Sequence, residues 1–347
     1  MRRRPALLVV TGALVLGCHD ARPEARLATD GNAPSNTPQP PVTTTSGGIP
    51  RGGPDAAGDS SDASSASPEI VAAGDIACGE CAQAATADLI DDLLTSRRVA
   101  AVLVLGDEAY ASGLLSEFQS FYAPAWGRPE IQAVAHPVPG NHEYATGAAT
   151  GYFDYFDGPG QQTGVAGARD QGYYSFDAAG WHFIALNSSD TCRWVSCAAG
   201  SPQYQWLVGD LAAHPGGCRL AFWHHPRFQA GTTSGELAEA APLWDALYAA
   251  GVDVVLNGHE HGYQQLAPLD DNGDIDTASG IRTFVVGTGG GDYDTTFGGP
   301  RAAALETSLV RTHGVLQMTL HPDGYEWQFV AVDGSRPPAA SGSAPCH

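Results

Sequence analysis

The chain has 347 residues, of which 17 are Lys or Arg and 38 are Asp or Glu, so its formal net charge is −21. That balance excludes a nucleic-acid binder held by phosphate contacts, which needs a basic face. A hydrophobic fraction of 43% is that of a globular protein and excludes a collagen or a wholly disordered chain.

Arg2-Arg3-Arg4 is followed by a mostly apolar run from Ala6 to Gly17 and then by Cys18. The run is too short to span a bilayer and reads as a signal peptide over residues 1–17. Its ending, Val15-Leu16-Gly17-Cys18, resembles a bacterial lipobox, in which the cysteine after the cleavage point carries a lipid. An ordinary signal peptide with an incidental cysteine is the alternative. Residues 18–68 are Pro, Thr, Ser, Gly, Ala and Asp with almost no bulky apolar side chain. Such a segment buries too little surface to offset its ordering entropy, so a disordered tether is expected, with an r.m.s. span of about 40 Å. The expectation is an exported lipoprotein of the bacterial cell envelope, periplasmic or surface-facing, that touches the membrane only through Cys18.

Six further cysteines, Cys78, Cys81, Cys192, Cys197, Cys218 and Cys346, are an even number in an exported chain and favour disulfides. Pairing in sequence order is expected. A zinc site at Cys78-Gly79-Glu80-Cys81 is the weaker reading, because no second close pair of Cys or His stands at a matching spacing.

Ordered structure is expected from Glu69, where IVAAGD reads as a short buried strand that breaks at Gly74-Asp75. The same pattern recurs in VAAVLVLGD ending at Asp107, HPVPGNHE holding Asn141, RLAFWHHP holding His224, and VDVVLNGHEH holding His259 and His261. Each is an apolar run followed by a polar group at the turn, where α/β folds place ligands. Helices are predicted over 83–97, with Leu89, Ile90, Leu93 and Leu94 on one face, over 202–214 and over 242–250, the last closed by Gly251. Leu316, Met318 and Leu320, a turn at Pro322-Asp323-Gly324, then Tyr325, Trp327 and Phe329 predict a hairpin. Residues 334–347 read as a loop-like end. Together these make one α/β domain over 69–335 with a C-terminal tail over 336–347. DDNGDID at 270–276 lacks the glycine and the final glutamate of a calcium loop and reads as a solvated turn. GTGGGDY at 287–293 has no P-loop ending and reads as a flexible turn that could border the site.

Asp75, Asp107, Tyr110, Asn141, His224, His259 and His261 are hard or borderline O and N donors. Each alone has an ordinary reading as a cap, turn or loop residue. Seven at successive strand ends are more than one metal takes from protein, which favours two metals sharing a carboxylate.

Gly74-Asp75, GDEAY at 106–110, GNHE at 140–143, HHP at 224–226 and GHEH at 258–261 resemble, in that order, the five blocks of calcineurin-like metallophosphoesterases. The purple acid phosphatase branch is the nearest form: Ala77 replaces the histidine of the wider family's first block, and Tyr110 follows the second aspartate by three. The resemblance covers about 69–333 and implies a four-layer α/β/β/α sandwich. It implies Asp75, Tyr110 and His261 on a first metal, usually Fe(III), Asn141, His224 and His259 on a second, Zn, Mn or Fe(II), and Asp107 as the bridge. It implies hydrolysis of a small-molecule phosphate ester, most simply a monoester, by attack of a metal-bound hydroxide, with His142 contacting the substrate or assisting the leaving group. His225 and Arg227 are further candidates for binding phosphate. Two departures are Glu108, an extra carboxylate beside Asp107 expected to alter metal preference or repel substrate charge, and Gln264-Gln265, where the family often has Glu-Arg. The alternatives are a phosphodiesterase or nucleotidase on the same fold, or a tethered, non-catalytic metal-binding protein.

Overall fold

The computed structural model describes residues 67–96, 98–293 and 296–347. The leader, the Cys18 anchor and nearly all of the tether lie outside the described residues. Among the described residues no helix is long and apolar enough to cross a membrane.

Strands β1 (Glu69–Ala73), β2 (Val99–Val104) and β3 (Ala135–Pro137) run parallel. β4 (Thr163–Gly164) and β5 (Gly167–Ala168) form a short antiparallel pair. A seven-stranded sheet follows from β6 (Tyr174–Ala178), β7 (Trp181–Ala185), β8 (Arg219–Phe222), β9 (Val254–Asn257), β10 (Tyr263–Leu269), β11 (Ile281–Val286) and β12 (Leu305–Leu309). Its order is β12-β10-β11-β9-β8-β7-β6, with β7, β8, β9 and β11 parallel. β13 (Gly314–His321), β14 (Gly324–Ala331) and β15 (Ser341–Pro345) return to the first sheet, in the order β15-β14-β13-β1-β2-β3.

The side-chain period of two divides the second sheet between two cores. Phe183, Ala185, Leu220, Phe222, Val254 and Leu256 pack in one cluster with Ile70, Val102, Leu316 and Phe329 of the first sheet. The intervening Ile184, Ala221 and Val255 pack instead with Leu207 and Leu211 of helix Pro202–Ala213 and Leu243 and Leu247 of helix Ala241–Ala249. Helix Gln83–Leu94 buries Ala87 and Ile90 on the other side of the molecule. The result is the expected four layers, helix, sheet, sheet and helix, with the sheets face to face.

Local chemistry sets the helix ends close to where the pattern predicts. Ser201 Oγ accepts the Tyr204 N–H at 3.2 Å and Pro202 opens the first turn, while Gly251, at φ +71°, lets the chain leave the last helix. Residues 334–347 are not the loop expected of them. Ser341–Pro345 pairs antiparallel with β14, because that strand's outer edge needs partners and Cys346 is held by a disulfide. The disulfides join Cys78 to Cys81, Cys192 to Cys197 and Cys218 to Cys346, in sequence order. The third ties the end of the first sheet to the start of β8 in the second.

Candidate metal centre

The parallel strands of both sheets end at one place, and the backbone turns sharply there. Asp75, Asp107 and His259 follow β1, β2 and β9 with φ of 62°, 50° and 73°. These left-handed conformations are disfavoured for side-chain-bearing residues, at roughly 1–3 kcal/mol each, and swing the side chains back across the strand ends. Gly140 must lack a side chain, since a Cβ there would meet Asp107 Oδ1 at 2.1 Å. At Gly106, φ is +87° and a Cβ would strike His224 Nδ1 at 2.6 Å.

Two groups of donor atoms result. In the first, Tyr110 OH lies 3.2 Å from Asp75 Oδ1 and 3.1 Å from His261 Nε2, and that nitrogen is 3.3 Å from Asp75 Oδ1. In the second, His224 Nε2 is 3.2 Å from each of Asp107 Oδ2, Asn141 Oδ1 and His259 Nδ1. Donors bound to one ion at about 2.1 Å stand roughly 3.0–3.4 Å apart, so both groups have the spacing of a coordination shell. The His259 backbone N–H donates to Asp75 Oδ2 at 2.8 Å and links the groups.

The imidazoles are oriented as metal ligands are. His224 Nδ1–H donates to the Leu105 carbonyl at 2.8 Å, and His261 Nδ1–H to that of Asp292 at 2.5 Å. Each contact fixes the tautomer and aims Nε2 at the centre. Burial opposes charge on His224, but Asp107 outweighs it and raises its pKa to about 9. Burial would likewise raise Asp107, yet His224 and His142 hold it well below the usual range. Burial and the charge of His224 lower His259 to about 4, so it stays neutral. The centre thus offers buried carboxylates that no Lys or Arg pairs with among the described residues, which suits a cation.

His142 stands at the rim. Its side chain is 33% exposed, Nδ1–H donates to Ala111 O at 2.7 Å, Nε2 is 3.8 Å from Asp107 Oδ2, and the ring lies against Tyr110 with centroids 4.5 Å apart. His225 sits behind the centre, buried, with Nδ1 2.8 Å from Ser188 Oγ and its ring 4.3 Å from His259. Burial, and then His224, keep it uncharged. Arg227 is turned elsewhere: its guanidinium covers the Phe228 ring at 4.2 Å, and its charged neighbours are Glu236, Arg301 and Asp245. The glycine-rich segment borders the site, with Gly289 and Gly291 N–H donating to Gly74 O and Asp75 O at 2.8 Å.

Glu143 is the residue the sequence reading passed over. It is fully buried; Oε2 accepts the N–H groups of Asp107 and Gly140, and Oε1 those of Glu108 and Ala109, at 2.8–3.3 Å. One carboxylate therefore locks together the two turns that carry Asp107 and Asn141. Its only sequence signal is an acid inside a ligand block. Glu108 corrects an expectation: it has no exposed surface, and burial followed by the Glu143 charge raises its pKa well above the usual carboxylate range. Its side chain is closed off from a substrate and belongs to neither donor group. Gln264 and Gln265 are also structural, accepting the Ala230 N–H at 2.7 Å and the Trp327 indole N–H at 3.0 Å.

A family model described as calcineurin-like phosphoesterase matches residues 68–263. Purple acid phosphatase 15 of Arabidopsis thaliana is 28% identical over 196 residues, 47% of this chain and 35% of that protein. Purple acid phosphatase 18 of the same plant is 33% identical over 134 residues, 36% of this chain and 28% of its own length. The chain spans about a third of the length of these curated relatives. Among solved structures, purple acid phosphatase PPD1 from yellow lupin (Lupinus luteus) seeds superposes with a TM-score of 0.63 at 18% identity, over 80% of this chain and 53% of that one. GAP50, the anchor in the inner membrane complex of Plasmodium, superposes with a TM-score of 0.59 at 14% identity, over 81% and 90%. At these identities the structural likeness is one of fold.

Proposed function

Matched over more than half its length, the chain belongs to the calcineurin-like phosphoesterase family, and on that premise we propose that it hydrolyses phosphate monoesters at a two-metal centre of purple acid phosphatase type. The observation that carries the reading is the pair of donor groups, each with ligand-like spacing, joined through the Asp75 and Asp107 turns. Asp75, Tyr110 and His261 would hold one ion, Asn141, His224 and His259 the other, and Asp107 both. When bound, the ions supply Lewis acidity and an activated water. The phenol of Tyr110 and the carboxylate of Asp75 are hard oxygen donors, which favours iron(III) in the first position.

The chain's own residues do the rest. Glu143 keeps the Asp107 and Asn141 turns in register. His142, tethered by Nδ1 to Ala111 O, presents Nε2 at the rim, where it holds and delivers a proton to the leaving ester oxygen. The three disulfides suit an oxidising compartment, and export with a lipid on Cys18 completes the proposal. The likeness to the GAP50 anchor supports a second reading, a tethered protein without turnover, since fold alone does not imply catalysis.

The test is turnover of an aryl phosphate monoester and the matching diester by the full chain reconstituted with iron and zinc. Faster monoester turnover is expected. His142→Ala should lose about 10²-fold or more in kcat with its metal retained. Diester preference would move the assignment to a phosphodiesterase, and bound metal without turnover of either ester would favour the anchor-like reading.

A further inference from the structure

A second set of metal-type donors stands at the other end of the second sheet. His182, the second residue of β7, is in register with Arg219, whereas His224 lies five positions further along the β8 direction, a span of about 16 Å. The His182 ring is 5% exposed and lies between two carboxylates, with Nδ1 2.8 Å from Asp177 Oδ1 and Nε2 2.8 Å from Asp210 Oδ2. His214 stacks on it with ring centroids 3.8 Å apart.

Hydrogen bonding assigns the protons. His214 Nδ1–H donates to the Asp210 carbonyl oxygen at 2.8 Å, which leaves the Nε2 lone pair as a donor to a metal. Asp210, which also accepts the Ser175 hydroxyl at 2.7 Å, accepts the His182 Nε2–H. His182 Nδ1 then faces the Asp177 carboxylate, an encounter that is attractive only with a cation between them, either a second proton or a metal.

We propose that Asp177, His182 and His214 bind a zinc-type divalent cation, with Asp210 as the carboxylate that orients His182. One carboxylate and two imidazoles, with ligand atoms all within 4.8 Å of one another, are the donor types of a three-ligand zinc site completed by water, and binding would swing the stacked His214 ring out of parallel so that both imidazoles point at the ion. Asp210 supplies the carboxylate contact that metal-bound histidines keep on their second nitrogen. A surface pocket of about 360 Å³ opens onto the three ligands and gives the ion access. The ion would join the β6–β7 hairpin to the end of helix Pro202–Ala213, so its role is to stabilise.

The experiment titrates the full chain, with its catalytic centre already loaded, with zinc chloride. Retained zinc is measured after gel filtration and Tm is followed in parallel. The wild type should keep one zinc per chain more than His214→Ala, and zinc should raise its Tm by at least about 2 °C, a shift missing from the variant. Asp177→Asn, at an exposed position, should show the same two losses. Equal zinc content and equal Tm response in all three proteins would overturn the proposal and leave a proton-bridged ion pair. Neither readout depends on turnover, so the outcome is independent of the phosphatase assignment.

Discussion

Asp75, Asp107 and His259 take left-handed backbone conformations because a strand ending in an ordinary turn would point their side chains away from one another. Holding those turns falls to Glu143, whose carboxyl oxygens accept four buried N–H groups. Glu143→Gln keeps the shape but sets an NH₂ group against two of those donors. It is expected to lower unfolding free energy by about 2–4 kcal/mol and to weaken metal retention; an unchanged urea midpoint would remove Glu143 from this role. The gathering of these donors was legible in the sequence, since seven of them at successive strand ends are hard to explain as separate caps and turns. Glu143 was not, because accepting backbone N–H groups leaves no spacing signature. Glu108 was misread because adjacency to Asp107 does not tell which way a side chain points after a left-handed turn.

The parallel strands and the three long helices were readable from apolar period and caps. β15 was not, since SGSAP has no alternation and becomes a strand only through the edge of β14 and the Cys346 tie. At another margin, β3 and β6 are edge strands of different sheets, and His136 of one stacks on Phe176 of the other, with ring centroids 3.6 Å apart and planes 7° from parallel. Burial lowers the His136 pKa from 6.5 to about 4. The unfolded chain therefore takes up this proton first as pH falls. The contribution to stability is complete above pH 6.5, is lost between 6.5 and 4, and amounts to at most about 3 kcal/mol. His136→Phe keeps the stack without the titration, so the variant should gain stability relative to wild type as pH falls through that window. A difference that stays constant with pH, followed by urea unfolding, would contradict this.

Neither sheet carries the candidate centre alone. Asp75, Asp107, Tyr110 and Asn141 follow strands of the first sheet, and His224, His259 and His261 follow strands of the second. Face-to-face packing of the two sheets, held by their shared apolar core and by the Cys218–Cys346 bridge, is what brings the donors together. A chain with a formal net charge of −21 repels an anionic ester at long range, so attraction must come from cations concentrated at this one place. The most direct measurement is elemental metal analysis of the His214→Ala chain, which removes the proposed Asp177, His182 and His214 site from the count, purified from a compartment where disulfides form. Close to two metal ions per chain are expected, one of them iron. A single ion, or none, after reconstitution with iron, zinc and manganese would contradict the two-metal centre.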